Sequence, residues 1–304
     1  MPRVLLSVIR ERLLFKRTLD KLKSVEQDTR VRRVFGKVKR VIFRQFLHEQ
    51  HSCASYLIGC PSRGVAAIVD PQGEPSEYLS ATEQHGLRII EVIDSHVHAD
   101  HLSGARELAE CVGATLRLGA GADVSFDHNP LSDGDVVEIG NRRIRVIHTP
   151  GHTPEHVCLL VDDWFVLTGD TLFVGDVGRV DLTLQDVDDD ELRIRAKRMY
   201  GSLQRLLGLP DETEVYPGHY AGSSCGRGMD GKAISTIGRE IRTNRALSLD
   251  LEDFVAFQLS DVPPLPDDFD HIKRANLGSG DPKKEHTPRI GSEGVIDQGS
   301  GYRS

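Results

Sequence analysis

The stretch DSHVHADHLSG, residues 94–104, places His96, His98, Asp100 and His101 in one short segment. Three further motifs carry side chains of the same kinds: His152 in TPGHT, Asp170 in TGD and His219 in YPGH. Imidazoles at alternate positions, with another close by, repel one another on protonation, and turn geometry does not call for them. Metal binding is the usual reason to collect them. A lone Asp or His after a strand would mean little, since Asp is an ordinary turn residue. The combination carries the argument. His148 and His156 flank TPGHT and are expected to support the ligands. His48, His51, His85, His128, His271 and His286 stand apart and read as surface or satisfied side chains.

Regular elements must bring these residues together. VIFRQFLHE, ASYLIGC and GVAAIVD read as strands separated by turn residues. PSEYLSATEQHG predicts a helix closing at Gly86, RIIEVIDS a strand, SGARELAECVG a helix ending at Gly113, and ATLRLG a strand. The second half predicts a hairpin around Gly140-Asn141, strands in HVCLLVDD and WFVLTGD, a helix over DDDELRIRAKRMYGSLQRLLG, and a last strand in TEVYPGH. ISTIGREIRTNRAL and LEDFVAFQL are expected to be helical, and PPLP at 263–266 marks a break. Four strands thus deliver a His or Asp at their C-terminal ends, the edge where sites form in α/β layers.

The formal net charge of the 304 residues is −8. Residues 1–40 hold thirteen Lys/Arg against four Asp/Glu, a net of +9, so the remainder carries −17. An acidic body argues against nucleic acid as a partner, because phosphates would be repelled. The five cysteines are odd in number and form no C-x-x-C pair, which suits free thiols in a reducing, cytoplasmic setting. No apolar run reaches the ~20 residues of a membrane span. Residues 1–40 read as a basic extension in which Leu5, Val8, Ile9, Leu13 and Phe15 suit an amphipathic helix, and organelle targeting by it stays open. Residues 41–277 read as the catalytic domain and 278–304, rich in Gly, Ser and charge, as a disordered tail.

HVHADH, TPGHT, GDTLF and YPGH, in this order, resemble the motifs of the metallo-β-lactamase superfamily over roughly residues 41–277. The resemblance implies an α/β fold, a four-layer αβ/βα sandwich of two facing mixed sheets with metal between them. Nucleases of the superfamily need a positive surface that the acidic body lacks. Exported lactamases carry a signal peptide that this sequence does not display. Two branches with thiol chemistry remain.

The first is the persulfide dioxygenase (sulfur dioxygenase) branch, similar to bacterial fusions with a rhodanese domain but lacking that domain. It implies one Fe(II) per chain held by His96, His152 and Asp170, with positions open for substrate and O2. His98, Asp100, His101 and His219 would stand behind the ligands, orienting them and relaying protons. Glutathione persulfide or another thiol persulfide would be oxidised by O2 to sulfite and thiol, and any sulfurtransferase partner would act in trans. The second is a glyoxalase II-like thioesterase, a hydroxyacylglutathione hydrolase with two Zn(II) or mixed metals. There His96, His98 and His152 bind one metal, Asp100, His101 and His219 the other, and Asp170 bridges them, so that a hydroxide attacks the thioester.

The ligand set fits both branches, and the surroundings favour the first. TLFVGDVGRVDLT after Asp170 is similar to the dioxygenase GR-x-D pattern, whereas Val180-Asp181 departs from the aromatic pair of glyoxalase II. YAGSSCGRGMDG after His219 resembles the dioxygenases, although Tyr220 stands where the bacterial branch commonly has Gly. Arg179, Tyr220 and Cys225 are therefore expected at the substrate. Arg179 would anchor a carboxylate of glutathione, the alternative being an ion pair with Asp176 or Asp181. Cys225 would touch substrate sulfur, the alternative being a small buried residue. A homo-oligomer stays open.

Overall fold

Two sheets face each other and are covered by helices on their outer sides. The computed structural model of the chain describes residues 29–279 apart from 35–36, 50, 185–186, 221–222, 224, 261, 263 and 267. The expected N-terminal amphipathic helix and nearly all of the expected tail lie outside the described residues.

The first sheet has seven strands in chain order: β1 (Thr29–Val34), β2 (Lys37–His48), β3 (Cys53–Cys60), β4 (Val65–Val69), β5 (Arg88–Ile93), β6 (Thr115–Gly119) and β7 (Asn129–Leu131). It is antiparallel from β1 to β4 and parallel from β4 to β7. Parallel neighbours need a crossover; α1 (Ser76–Gln84) supplies it between β4 and β5, and α2 (Ala105–Val112) between β5 and β6. The second sheet comprises β8 (Val136–Ile139), β9 (Arg142–His148), β10 (Val157–Val161), β11 (Phe165–Gly169), β12 (Glu214–Pro217) and β13 (Ser235–Thr236), ordered β13-β12-β11-β10-β9-β8. Only β11 and β12 are parallel in it, joined through α3 (Asp189–Leu207), whose N-terminus is capped by the Asp188 side chain accepting from Glu191 N. Helices α4 (Ile237–Thr243), α5 (Leu251–Leu259) and α6 (Phe269–Asn276) follow.

Three apolar layers hold this together. Phe43, Tyr56, Ile58 and Val69 of the first sheet pack on Ile139, Val146, Leu159, Phe165 and Tyr216 of the second. Tyr78 of α1 and Leu108 of α2 cover Leu57 and Ile68. Met199 and Leu203 of α3 and Phe254 of α5 cover Leu160 and Val166. Each such side chain, removed from water, contributes about 1.5–3 kcal/mol. The four-layer αβ/βα sandwich is the expected fold.

Details differ from the sequence expectation. β1 and the start of β2 form an edge hairpin, so the sheet begins at Thr29, ahead of the boundary expected at residue 41. The helix expected from Ile234 is broken: Ser235 and Thr236 pair with β12, and the Thr236 hydroxyl caps α4 by accepting from Arg239 N. The short β7 and the helix α6 were not expected. Among the described residues no helix is long and apolar enough to cross a membrane.

Candidate metal centre

The site lies where β5, β9, β11 and β12 end. Gly169 of β11 pairs with Pro217 of parallel β12, which sets the following Asp170 and His219 side by side. Two bonds tie the sheets together there: Val157 N donates to Ser95 O at 2.9 Å, and Ala54 N to Gly218 O at 2.7 Å. The loops that carry the donors are thus fixed by both sheets.

His96, His152 and Asp170 come together, each at most 1% exposed. His152 Nε2 is 3.4 Å and His96 Nε2 3.9 Å from Asp170 Oδ2. Each candidate donor is held from its far side. His152 Nδ1 donates to Arg179 O at 2.7 Å, His96 Nδ1 meets Ser95 Oγ at 2.9 Å, and His219 Nδ1 donates to Asp170 Oδ1 at 2.6 Å. His96 Nε2 and Asp170 Oδ2 are buried with no hydrogen-bond partner. Buried polar atoms are rarely left so, and a cation between these donors satisfies them. The protonation states fit as well. Burial, with neighbouring imidazoles, holds His96 well below 6.5, and burial also lowers His152. Burial pushes Asp170 up, but the charge and hydrogen bond of His219 outweigh it and hold the carboxyl at about 2. Neutral imidazoles and an ionised carboxylate are the ligand forms a divalent metal takes.

The other sequence-predicted residues fall around this set. His98 is buried but turns Nε2 to Asp70 Oδ1 at 3.4 Å and Asp94 Oδ1 at 3.9 Å, forming a separate group with them. Asp100, His101 and His219 form another group, joined by Cys53. Cys225 is buried, its thiol grouped with Asp170 and His219, and burial pushes that thiol well above 9. Tyr220 is half-buried, with its hydroxyl unpartnered. Arg179 requires a correction. Its guanidinium is buried, forked onto Asp181 at 2.7 and 2.6 Å, and bonded to Pro264 O at 2.9 Å. With those donors engaged it stands as a strut between loops rather than as an open anchor for a substrate carboxylate. The ion pair with Asp181 was the alternative reading.

Sequence reasoning missed the clamp on the 96–103 loop. From α6, buried Lys273 donates to Val97 O at 2.5 Å. Asn276 Nδ2 donates to His98 O at 3.0 Å and His101 O at 2.8 Å, while its Oδ1 accepts from Ser103 N at 3.0 Å. Glu155 Oε1 accepts from Val97 N and Asp70 Oδ1 from Ser95 N. No local spacing announces these contacts.

His156 supports the centre as expected. Its Nε2 accepts the Asp170 amide at 2.9 Å, so Nδ1 carries the proton and faces Thr149 Oγ1 at 2.9 Å. Gly169, at φ 46°, leaves room for this ring; a Cβ there would lie 2.6 Å from Nε2. Burial drives His156 from 6.5 down to about 3. Its contribution to stability is therefore complete above pH 6.5 and is lost as pH falls toward 3, because unfolding then takes up a proton. A His156→Asn chain is expected to show a flatter decline of unfolding free energy between pH 6.5 and 4 than the wild type, by on the order of a few kcal/mol. Parallel curves from denaturant titrations would contradict that account.

Residues 49–219 match the family model described as metallo-beta-lactamase superfamily. The chain belongs to the metallo-β-lactamase superfamily. Among relatives in this superfamily, the human protein "Persulfide dioxygenase ETHE1, mitochondrial" is 28% identical over 248 residues, covering 79% of this chain and 89% of that one. The crystal structure of ETHE1 from Myxococcus xanthus superposes with a TM-score of 0.68 at 32% identity, covering 79% of this chain and all of that one. A hydroxyacylglutathione hydrolase from Aliivibrio salmonicida is 34% identical over 153 residues, but covers only 50% of this chain and 56% of that protein. The chain is thus an enzyme of the metallo-β-lactamase superfamily, and the observed His and Asp donors are its candidate metal sites.

Proposed function

We propose that this chain oxidises a thiol persulfide, glutathione persulfide in the first instance, with O2 to give sulfite and the thiol at a single Fe(II). The observation that carries this reading is the donor set: two imidazoles and one carboxylate converge, while His98, its own ring nitrogens also without hydrogen-bond partners, groups with Asp70 and Asp94 instead. Two His and one carboxylate suit non-haem iron with open positions. A two-metal hydrolase would want His98 in the first group and Asp100, His101 and His219 free for a second cation. Instead Asp100 is bonded to both His219 and His101, with only His101 Nε2 left unpartnered. The likeness to the two ETHE1 proteins, which extends over most of the chain, supports the same choice; the likeness to the hydrolase covers half.

Fe(II), when bound by His96, His152 and Asp170, supplies adjacent sites at which a persulfide and O2 can meet. The chain's own residues do the rest. Ser95, Arg179 O, His156 and His219 hold the three ligands in register, so the reactants would be brought together with little reorganisation. His219 lies between Asp170 and Asp100 and is suited to hold a proton near the reacting sulfur. The buried Cys225 thiol borders the same space. In balance, one persulfide, one O2 and one water give one thiol, one sulfite and two protons. A sulfurtransferase reaction would supply the persulfide.

Protein purified without oxygen is expected to hold about one iron per chain, to consume O2 and release sulfite with glutathione persulfide, and to leave S-lactoylglutathione intact. About two zinc ions with rapid thioester hydrolysis would overturn the reading in favour of the hydrolase.

A further inference from the structure

Cys53 opens β3 and is 1% exposed. Its thiol reaches the three side chains that a two-metal relative would use for a second cation: His219 Nε2 at 3.1 Å, Asp100 Oδ2 at 3.3 Å and His101 Nδ1 at 3.6 Å. The backbone fixes the sulfur there. Cys53 bridges to His219, and the neighbouring Ala54 amide donates to Gly218 O at 2.7 Å. Two contacts join the donors around the sulfur to one another, while His101 Nε2 is buried without a partner. His219 Nε2 lies 2.7 Å from Asp100 Oδ2, and His101 Nδ1 lies 3.2 Å from Asp100 Oδ1.

We infer that Cys53 is a specificity-determining residue that limits the centre to one metal. The thiol plugs the space between Asp100, His101 and His219 and holds those three in bonds with itself and with one another. A second cation would need a nitrogen or oxygen lone pair from each of them at about 2.0–2.2 Å. The thiol sits among all three, so a cation reaches that geometry only if the sulfur moves aside or becomes a fourth ligand. The consequence is chemical. A lone metal with open positions admits two reactants, whereas a metal pair holds a bridging hydroxide suited to hydrolysis. Residue 53 would thus separate the two chemistries that the ligand motifs alone allow.

The inference rests on the one-metal reading above, but its readout is metals per chain rather than turnover. Wild type, Cys53→Ala and Cys53→Val are saturated with Fe(II) or Co(II) under nitrogen, desalted and analysed for metal, with thermal melts as the check on folding. Alanine opens the space, and its metal content is expected to rise from about one to about two per chain. Valine keeps the space filled without hydrogen bonding and is expected to stay at about one. An alanine chain that folds and still binds one metal, or a valine chain that binds two, overturns the role of Cys53. Cobalt titration of the wild type does not depend on any variant folding. Saturation at one equivalent is expected, and a second tightly held equivalent overturns the inference. One metal in both wild type and Cys53→Ala, with oxygen uptake intact, removes only Cys53. Two metals in the wild type remove the one-metal reading as well.

Discussion

His96→Ala, His152→Ala and Asp170→Ala are each expected to lose iron and persulfide oxidation together. Each removes one of three donors, and a site with three protein ligands has none to spare. Even loss of a partner behind a ligand typically costs 10–100-fold in metal affinity, so losing a ligand itself should cost more than about 100-fold. His98→Ala and His219→Ala should retain most of the iron at saturating metal. His98 faces Asp70 and Asp94, and His219 steadies Asp170 from behind through Oδ1. Turnover should fall in both, more steeply for His219, which sits between two carboxylates. Iron analysis after anaerobic desalting, run beside oxygen-electrode rates, reads both quantities. The hydrolase reading orders the variants differently, with His98→Ala among the metal-losing set. Iron loss in His98→Ala as complete as in His96→Ala would therefore count against the facial triad.

A comparable loss is expected from Gly178→Ala, although glycine offers no side-chain donor to a metal. A Cβ at this position would lie 1.8 Å from Asp170 O and 3.0 Å from its carbonyl carbon, so backbone must move. Gly178 also precedes Arg179, whose carbonyl accepts from His152 Nδ1. One methyl group thus displaces the seat of Asp170 and the support of His152, two of the three ligands. Overpacking of this kind costs about 1–3 kcal/mol or more, and the strain falls on the centre itself. A lower melting temperature and a metal content near that of Asp170→Ala are expected. A chain that melts with the wild type and carries full iron would show that the loop between β11 and α3 yields more easily than its packing suggests.

The sequence determined a good deal by itself. Apolar alternation and capping residues set out β2 to β6, α1, α2, the β8–β9 hairpin and α3, because these elements are stabilised by neighbours along the chain. Placing His96, His152 and Asp170 just past the ends of β5, β9 and β11 was legible for the same reason: a strand end fixes where the next side chain lies. What local pattern could not give was the choice among ligands. H-x-H spacing treats His96 and His98 alike, and only the fold sets Asp70 and Asp94, the one at the end of β4, against His98. For Arg179 the sequence left a substrate carboxylate and an ion pair with Asp176 or Asp181 both open, and the folded loop gives it Asp181 and Pro264 O.

The strongest cases are Cys53 and α6. Cys53 is 47 positions from Asp100 and 166 from His219, and Asn276 is 178 from the His98 carbonyl it binds. No periodicity spans such distances, since a hydrogen bond between remote segments leaves no spacing in the chain. The sequence alone therefore pointed to the kind of chemistry, a metal held at strand ends. Tertiary packing decided which side chains each donor faces, because only there do β3, β5, β12 and α6 meet around the same atoms.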